Sequence, residues 1–420
     1  MASDRLILGE NAIYSLDSTE TLLNCNVLVV GGSGSGKTMS VLEPRLLETF
    51  NSSLIVLLAK KRLCKKYEPL FKERGYHVAS LDFTDLSHSR YCYDPLQYVC
   101  SYQDVSFLAE SIVQANPRKE HSTAADPYWD QSATLLLSAL ITLTLMQKED
   151  ATFEDVLKLF DSIDFCEQNG LIVTSLDEKF DSLREKDPHC FAVTCWNAFK
   201  MLPIKTAGCV FSTLHTALDT FSPELRRNIS KGKSLDFEQI ASEKSVVFIT
   251  TSAVNPSLHF LANMLCAQAI KQLFEYAESR RSGVLPIPVH FLFDDFAVGA
   301  QIHGFERHIS IMREKGLSAT LLLQSEHQLR AMYGADAAEI IIDNADSYVY
   351  LGGMDLHTAH SISERLNAPL DEVLYMPIGQ EVIFRRGQKP LKTQRYNVFE
   401  NELYKAVTQQ YQQEINEYEI

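Results

Sequence analysis

Hydrophobic positions in this chain fall into two alternating patterns. Short strand-like runs at Val27–Val30, Leu54–Leu58 and Val78–Leu81 have the length of buried strands. An extended run, Arg5–Gly9, precedes them, and a lysine-rich helical stretch at about Arg62–Arg74 separates the last two. Strand, helix, strand at this spacing predicts a parallel α/β sheet. From about Gln103 to Phe237 β-branched runs are scarce and a period near 3.6 takes over, at Val105–Ile112, Trp129–Met146 and Phe153–Phe160, the last with Thr152 as its N-cap. Strand-like runs resume at Ser245–Thr251, Val289–Phe293, Ala319–Leu323, Tyr348–Leu351 and Glu381–Phe384. Helical patterns at Ala262–Ser279, Phe305–Lys315 and Ala331–Ile342 alternate with them. The pattern therefore predicts one α/β domain in two pieces, residues 1–102 and 238–400. Residues 103–237 form an inserted all-α domain between the pieces, and residues 401–420 a polar tail.

The first buried run leads directly into Gly31-Gly32-Ser33-Gly34-Ser35-Gly36-Lys37-Thr38, which fits G-x-x-x-x-G-K-[ST] without mismatch. A helical pattern through Met39, Val41, Leu42, Leu46 and Leu47 follows it. Strand, glycine loop and helix is the context a phosphate-binding loop requires. Glycines let several backbone N–H groups converge on one anion without Cβ clashes, and the helix N-terminus adds partial positive charge. Lys37 is a compact cation suited to the β- and γ-phosphates of ATP, and the Thr38 hydroxyl suits Mg²⁺. The two parts of the α/β domain are thereby read as a nucleotide-binding domain.

Hydrolysis of ATP also needs a carboxylate for the metal shell and a group that orients water near the γ-phosphate. Val289-His290-Phe291-Leu292-Phe293-Asp294-Asp295 supplies two acids at the end of a buried strand. Asp294 is placed to hold Mg²⁺, and Asp295 occupies the position of the water-orienting carboxylate. The long gap from Lys37 to Asp294 requires something inserted between the sheet halves, and the helical region supplies it. The next strand ends at Gln324, where a glutamine can reach the γ-phosphate or simply cap the strand.

Composition narrows the partners. A net charge of −15 means that nucleic-acid contact must come from a local basic surface. Nine scattered cysteines without a C-x-x-C read as reduced thiols of a cytosolic protein. The longest apolar run, Ala133–Met146, is too short to span a bilayer.

At this level of detail the chain resembles the ATPase region of type IV secretion coupling proteins of the TraG/TraD type, which serve conjugative DNA transfer. The resemblance covers about Arg5 to Asn397. It is carried by Asn26–Thr38, Glu73–Val99 (ERGYHVASLDFTDLSHSRYCYDPLQYV), Asp126–Ile141 (DPYWDQSATLLLSALI), Leu285–Ala297, Arg313–Gly334 (REKGLSATLLLQSEHQLRAMYG) and Ile341–Gly353 (IIDNADSYVYLGG). It implies a RecA-like P-loop NTPase with a central, mostly parallel sheet and an inserted all-α domain. It also implies a hexameric ring handling DNA, with relaxase or other secretion substrates and secretion-channel components as partners, at the cytoplasmic face of the cell membrane. Members usually carry N-terminal membrane helices, and none is read here. The resemblance implies ATP and Mg²⁺ at Gly31–Thr38, Asp294 and Asp295, with Gln324 as strand-end sensor. Arg313 matches the arginine presented to the neighbouring subunit's nucleotide; its other reading is a solvated helix end.

Two departures stand out. The family's Asp-Glu-Phe-Ala-Asn is Asp294-Asp295-Phe296-Ala297-Val298 here, and its Asp-Pro-Lys-Gly is Leu58-Ala59-Lys60-Lys61. Both lie near the nucleotide, so the sequence leaves two functions open: a DNA-translocating ATPase, or a nucleotide-binding docking receptor that hydrolyses slowly. Two basic clusters, Lys60, Lys61, Arg62, Lys65 and Lys66, and Arg385, Arg386, Lys389, Lys392 and Arg395, read as DNA-backbone contacts or as solvated faces. Tyr128 and Trp129 read as core of the helical domain rather than as a base-stacking platform.

Overall fold

The buried runs become strands in a computed structural model that describes residues 3–115, 127–169, 171–252, 258–298 and 301–418. In chain order the strands are β1 (Arg5–Gly9), β2 (Ala12–Ser15), β3 (Val27–Val30), β4 (Ser53–Leu58), β5 (His77–Asp82), β6 (Phe165–Gln168), β7 (Leu171–Thr174), β8 (Ser245–Thr250), β9 (Val289–Phe293), β10 (Leu317–Leu323), β11 (Ser347–Tyr350), β12 (Gln380–Arg385) and β13 (Leu391–Gln394). Chain contacts divide the molecule into two units. One holds residues 1–84, 236–262 and 269–420, the other residues 85–235 and 263–268.

The first unit is built on a nine-stranded sheet of order β13-β12-β11-β3-β10-β9-β4-β8-β5. From β11 to β5 every neighbouring pair is parallel, while β12 and β13 are antiparallel additions at one edge. Side chains of β3, β4, β8 and β9 are buried on both faces, which is why these strands read as continuous apolar runs rather than alternating ones. The loop after β3 enters a widened π-type turn at Thr38–Leu42 and then the helix Glu43–Leu47. Pro44 has no N–H to offer the Ser40 carbonyl, and the turn ahead of it closes instead from the Glu43 N–H to the Thr38 carbonyl.

Two helices predicted as single pieces are each broken. Phe305–Lys315 is two short helices, Phe305–Ile309 and Met312–Lys315, because the chain between them tightens to turns three residues long, with the Ile311 N–H on His308 and the Glu314 N–H on Ile311. Ala331–Ile342 breaks at Gly334, whose φ of +81° ends Glu326–Tyr333 and starts Ala335–Asp343. The tail forms the helix Glu402–Tyr418. Asp126 and the last two tail residues lie outside the described residues. No described helix is long and apolar enough to cross a membrane.

The second unit begins at Asp85 rather than at residue 103, and ends at Leu235 rather than at 237. Asp94 explains the earlier start. Its buried carboxylate accepts the Leu96 N–H at 2.9 Å, the Phe153 N–H at 3.1 Å and the Ser230 hydroxyl, so the Tyr93-Asp94-Pro95 segment is tied to the start of the helix Phe153–Asp161 and to Ser230. The unit is mostly helical but not all-α, since β6 and β7 form an antiparallel hairpin. Its core is centred on Trp196 stacked on Phe180 at 4.2 Å, with both rings fully buried. The expectation for the aromatic pair fails: Tyr128 is exposed and Trp129 only half-buried, because they occupy the first turn of Pro127–Gln147, ahead of its buried stretch.

The first basic cluster is partly structural. Lys66 is 8% exposed and donates to Glu43 Oε2 at 2.7 Å, the Tyr67 hydroxyl donates to the same oxygen at 2.5 Å, and the Lys66 ammonium sits 3.7 Å from the Tyr404 ring centroid. This one ammonium joins the helix behind the glycine loop, the helix Lys61–Glu73 and the C-terminal helix. Removing one partner of such a buried pair leaves the other uncompensated. Lys66→Ala is expected to destabilise the chain by about 3 kcal/mol in urea unfolding and to expose Glu402–Tyr418 to proteolysis.

Candidate nucleotide site

The parallel register brings the ends of three strands together. Val30 pairs with Leu323 on one side and Tyr350 on the other, and Leu321 pairs with Phe293. The residues that follow, Gly31, Gln324 and Asp294, therefore lie at one edge of the sheet. β10 lies between the strand of the glycine loop and the strand of the acids.

The loop is held by close backbone approaches. The Gly31 N–H donates to the Leu323 carbonyl at 3.1 Å and the Gly32 N–H to the Gly352 carbonyl at 2.9 Å. A Cβ on Gly31 would lie 2.6 Å from Ser35 Oγ and 2.8 Å from Leu351 Cβ. Gly34 and Gly36 adopt φ of +72° and +91°, which the loop's curl requires. Ser33 and Gly34 form its exposed tip. Lys37 is buried, and its ammonium donates to the Gly31 and Gly32 carbonyls at 2.5 and 3.2 Å. Burial pushes the Lys37 ammonium below its ordinary pKa, and the Asp295 and Asp294 carboxylates oppose that shift.

Thr38 meets the acids directly. Its hydroxyl donates to Asp294 Oδ1 at 3.0 Å. Burial and the neighbouring Asp295 carboxylate push the Asp294 carboxyl above its ordinary value, against Thr38, Lys60 and Lys37. Asp294 Oδ2 and Ser35 Oγ are buried without a protein partner. A buried orphan carboxylate oxygen beside a threonine hydroxyl, with an ammonium close by, is a donor set that fits Mg²⁺ and a polyphosphate. Asp295 is half-exposed with φ of +64°, and Ala297 has φ of +65°. Aspartate tolerates this left-handed backbone better than most side chains. Lys60, exposed at the end of β4, contributes charge to both Lys37 and Asp294, so this one residue of the departed Asp-Pro-Lys-Gly motif still faces the site.

The structure does not bring every expected residue in. Gln324 is exposed at its strand end, its N–H shared with Gln328 Oε1 at 3.4 Å. Arg313 precedes β10, at the opposite edge of the sheet from Thr38, and is exposed there with its guanidinium 3.5 Å from the Ser18 carbonyl. One residue read only as part of a basic cluster belongs to the loop. Arg395 donates to the Ser35 carbonyl, and to the Leu351 carbonyl at 2.8 Å. Its neighbours in that cluster are engaged elsewhere: Arg385 lies 3.8 Å over the Tyr14 ring, Arg386 bonds Asp346 at 3.2 Å and Lys392 bonds Glu372 at 3.0 Å. Charge against Arg395 is supplied by Glu381 on β12, which is fully buried with neither oxygen hydrogen-bonded. Burial pushes the Glu381 carboxyl up to about 8, with Arg395 pulling the other way.

Three outcomes are expected. Gly31→Ala abolishes nucleotide binding in a calorimetric titration while circular dichroism stays native, because the added carbon meets Ser35 and Leu351. Mg²⁺ affinity in the presence of nucleotide weakens as the pH falls, beginning above the ordinary aspartate range, since the raised Asp294 carboxyl takes up a proton in place of the ion, and Asp294→Asn removes that contribution to the pH dependence. For Glu381 the folded state holds a proton that the unfolded chain releases, so stability falls as pH rises from the ordinary glutamate range towards about 8. Glu381→Gln flattens that slope in a pH series of thermal melts.

The sequence signature described as "Type IV secretory system Conjugative DNA transfer" matches residues 5–369. The conjugal transfer protein TraG of Rhizobium radiobacter is 24% identical over 357 residues, covering 82% of this chain and 53% of that relative, so the chain spans about half its length. Among solved structures, the plasmid coupling protein TrwB in complex with the non-hydrolysable ATP analogue ADPNP aligns with a TM-score of 0.61 at 15% identity, over 90% of this chain and 86% of that one. TrwB in complex with ADP and Mg²⁺ aligns at 0.59 and 16%, over 89% and 86%. At these identities the structural likeness is one of fold, and the fold is that of a RecA-like P-loop NTPase. With the signature matched over most of its length, the chain belongs to the type IV secretory system conjugative DNA transfer family.

Proposed function

We propose that this chain is the ATP-hydrolysing part of a coupling protein that drives DNA, with relaxase attached, towards a secretion channel at the inner face of the cell membrane. The observation that supports it best is the Thr38–Asp294 hydrogen bond, which joins the phosphate loop to the strand-end acid beside an orphaned carboxylate oxygen. In this reading the loop amides and Lys37 hold the phosphates of ATP. Mg²⁺, when bound, neutralises phosphate charge. Thr38 and Asp294 are the residues that hold it, Asp295 orients water, and Gln324 reports the state of the γ-phosphate from the neighbouring strand. Arg313 lies too far from its own loop to act there, so its role is in trans, towards the nucleotide of a neighbouring subunit in a hexameric ring. DNA contacts fall to exposed cations such as Lys60, Arg62, Lys65 and Lys389, since the other members of the two clusters are engaged within the protein.

Asp295 favours a second reading, a slow-hydrolysing receptor that docks secretion substrates. Its carboxylate is one methylene shorter than glutamate, and misplacement of about 1 Å can cost about a hundredfold in rate. ATP turnover with and without single- and double-stranded DNA separates the two. Under the motor reading DNA stimulates turnover, Lys37→Ala abolishes it, and mixing the Lys37→Ala and Arg313→Ala proteins restores part of it. Turnover that ignores DNA and rises with Asp295→Glu supports the receptor.

A further inference from the structure

The helix Glu326–Tyr333 starts just beyond Gln324 and touches the loop of the two acids at both of its ends. In its first turn the Gln328 carboxamide uses both of its polar atoms. Nε2 donates to the Ala297 carbonyl at 3.3 Å, and Oε1 accepts the Gln324 N–H at 3.4 Å. In its last turn the Tyr333 ring stacks on Phe296, with centroids 5.7 Å apart and planes 11° from parallel. One short helix thus joins the strand end of β10 to the segment that leaves β9.

That segment needs holding. Asp295 and Ala297 both have left-handed backbones, at φ of +64° and +65°. For residues with a Cβ such conformations are costly and persist only where the surroundings enforce them. Phe296, between the two, is one anchor. Its N–H donates to the Leu322 carbonyl at 2.8 Å, and its ring is buried against Phe293, Phe305 and Tyr333. Gln328 is the other, at the second left-handed residue. The helix that carries it is itself fixed. The Ser325 hydroxyl accepts the Gln328 N–H at 3.2 Å, the buried Glu326 carboxylate accepts the Tyr348 hydroxyl at 3.0 Å, and the Tyr333 hydroxyl accepts the Ile302 N–H at 3.0 Å. A planar amide bonded at both ends, on a fixed base, passes a shift of the Gln324 backbone on to Ala297 and so to Asp295.

We propose that Gln328 is a positioning residue, which carries the state of the nucleotide from the strand end at Gln324 to the acid loop and so sets where the Asp295 carboxylate stands. The inference rests on the reading above, in which Gln324 senses the γ-phosphate and Asp295 orients water. It adds the contact that makes the second depend on the first. Gln328 acts through these two residues and not on the nucleotide itself.

The test uses Gln328→Met, which keeps the length of the side chain and removes both hydrogen bonds. Two quantities are read in the wild type and the variant: steady-state ATP turnover, and hydrogen exchange at the backbone amides of residues 295–298 with ADPNP bound against ADP bound. In the wild type ADPNP is expected to slow this exchange relative to ADP. In Gln328→Met that difference disappears and kcat falls about tenfold, while KM and the Kd for ADPNP stay within about twofold of wild type. A variant that keeps either the exchange difference or the wild-type kcat overturns the proposal. So does one in which ADPNP affinity falls in step with kcat, because the helix would then only prop the site. A wild type without turnover removes the hydrolysis reading instead. The proposal then stands on the loss of the exchange difference in Gln328→Met, and a wild type that shows no such difference overturns it.

Discussion

A hydrogen bond of 3.0 Å between Thr38 and Asp294 closes a separation of 256 residues. It can form only if β3, β10 and β9 keep one register, because a single-residue slip would turn every side chain at the strand ends to the opposite face. The ladder behind it pairs Val30 with Leu323 and Leu321 with Phe293, and the strands bury their side chains on both faces. The chemistry at the sheet edge thus depends on strand pairing well behind it.

Much of this was legible beforehand because the informative features were local. A glycine loop between a strand and a helix, or two acids ending an apolar run, are short-range patterns with a physical reason for each residue. What the sequence hid depends on long-range geometry. Arg395 read as one cation among several near the C-terminus, and nothing local says that its guanidinium reaches the Ser35 carbonyl while Arg386 turns to Asp346. Lys66 read as a surface lysine, and its burial depends on Tyr404 arriving from the far end of the chain. Asp94 carries no local sign that it is a buried acceptor for Leu96, Phe153 and Ser230, which lie far apart in the chain. Arg313 was placed by resemblance, and only the direction of β10 shows that it stands at the edge away from its own loop.

The site combines groups whose burial works against their charge. Lys37 is pushed down and Asp294 up by the same low-dielectric surroundings, and each is partly rescued by the other. Such a pair is costly unless a third party completes it, which is what an anionic polyphosphate and a divalent cation together would do. Asp295 adds a constraint of another kind. Its left-handed backbone suits a short acid, so lengthening it to glutamate would gain reach at some conformational cost.

The chain leaves β5 after Asp82 and re-enters the sheet at Ser245, the start of β8. These strands are parallel neighbours, paired from His77–Ser245 to Asp82–Thr250. The exit from β5 and the entry to β8 therefore lie at opposite ends of one hydrogen-bonded ladder. A mechanical load pulling those two ends apart would act along the strands, in shear, with the rungs resisting together instead of opening one at a time as in a zipper. β8 is in turn laced to β4, and β4 to β9, so the same shear-resistant lattice reaches the strand that carries the acids facing the phosphate loop.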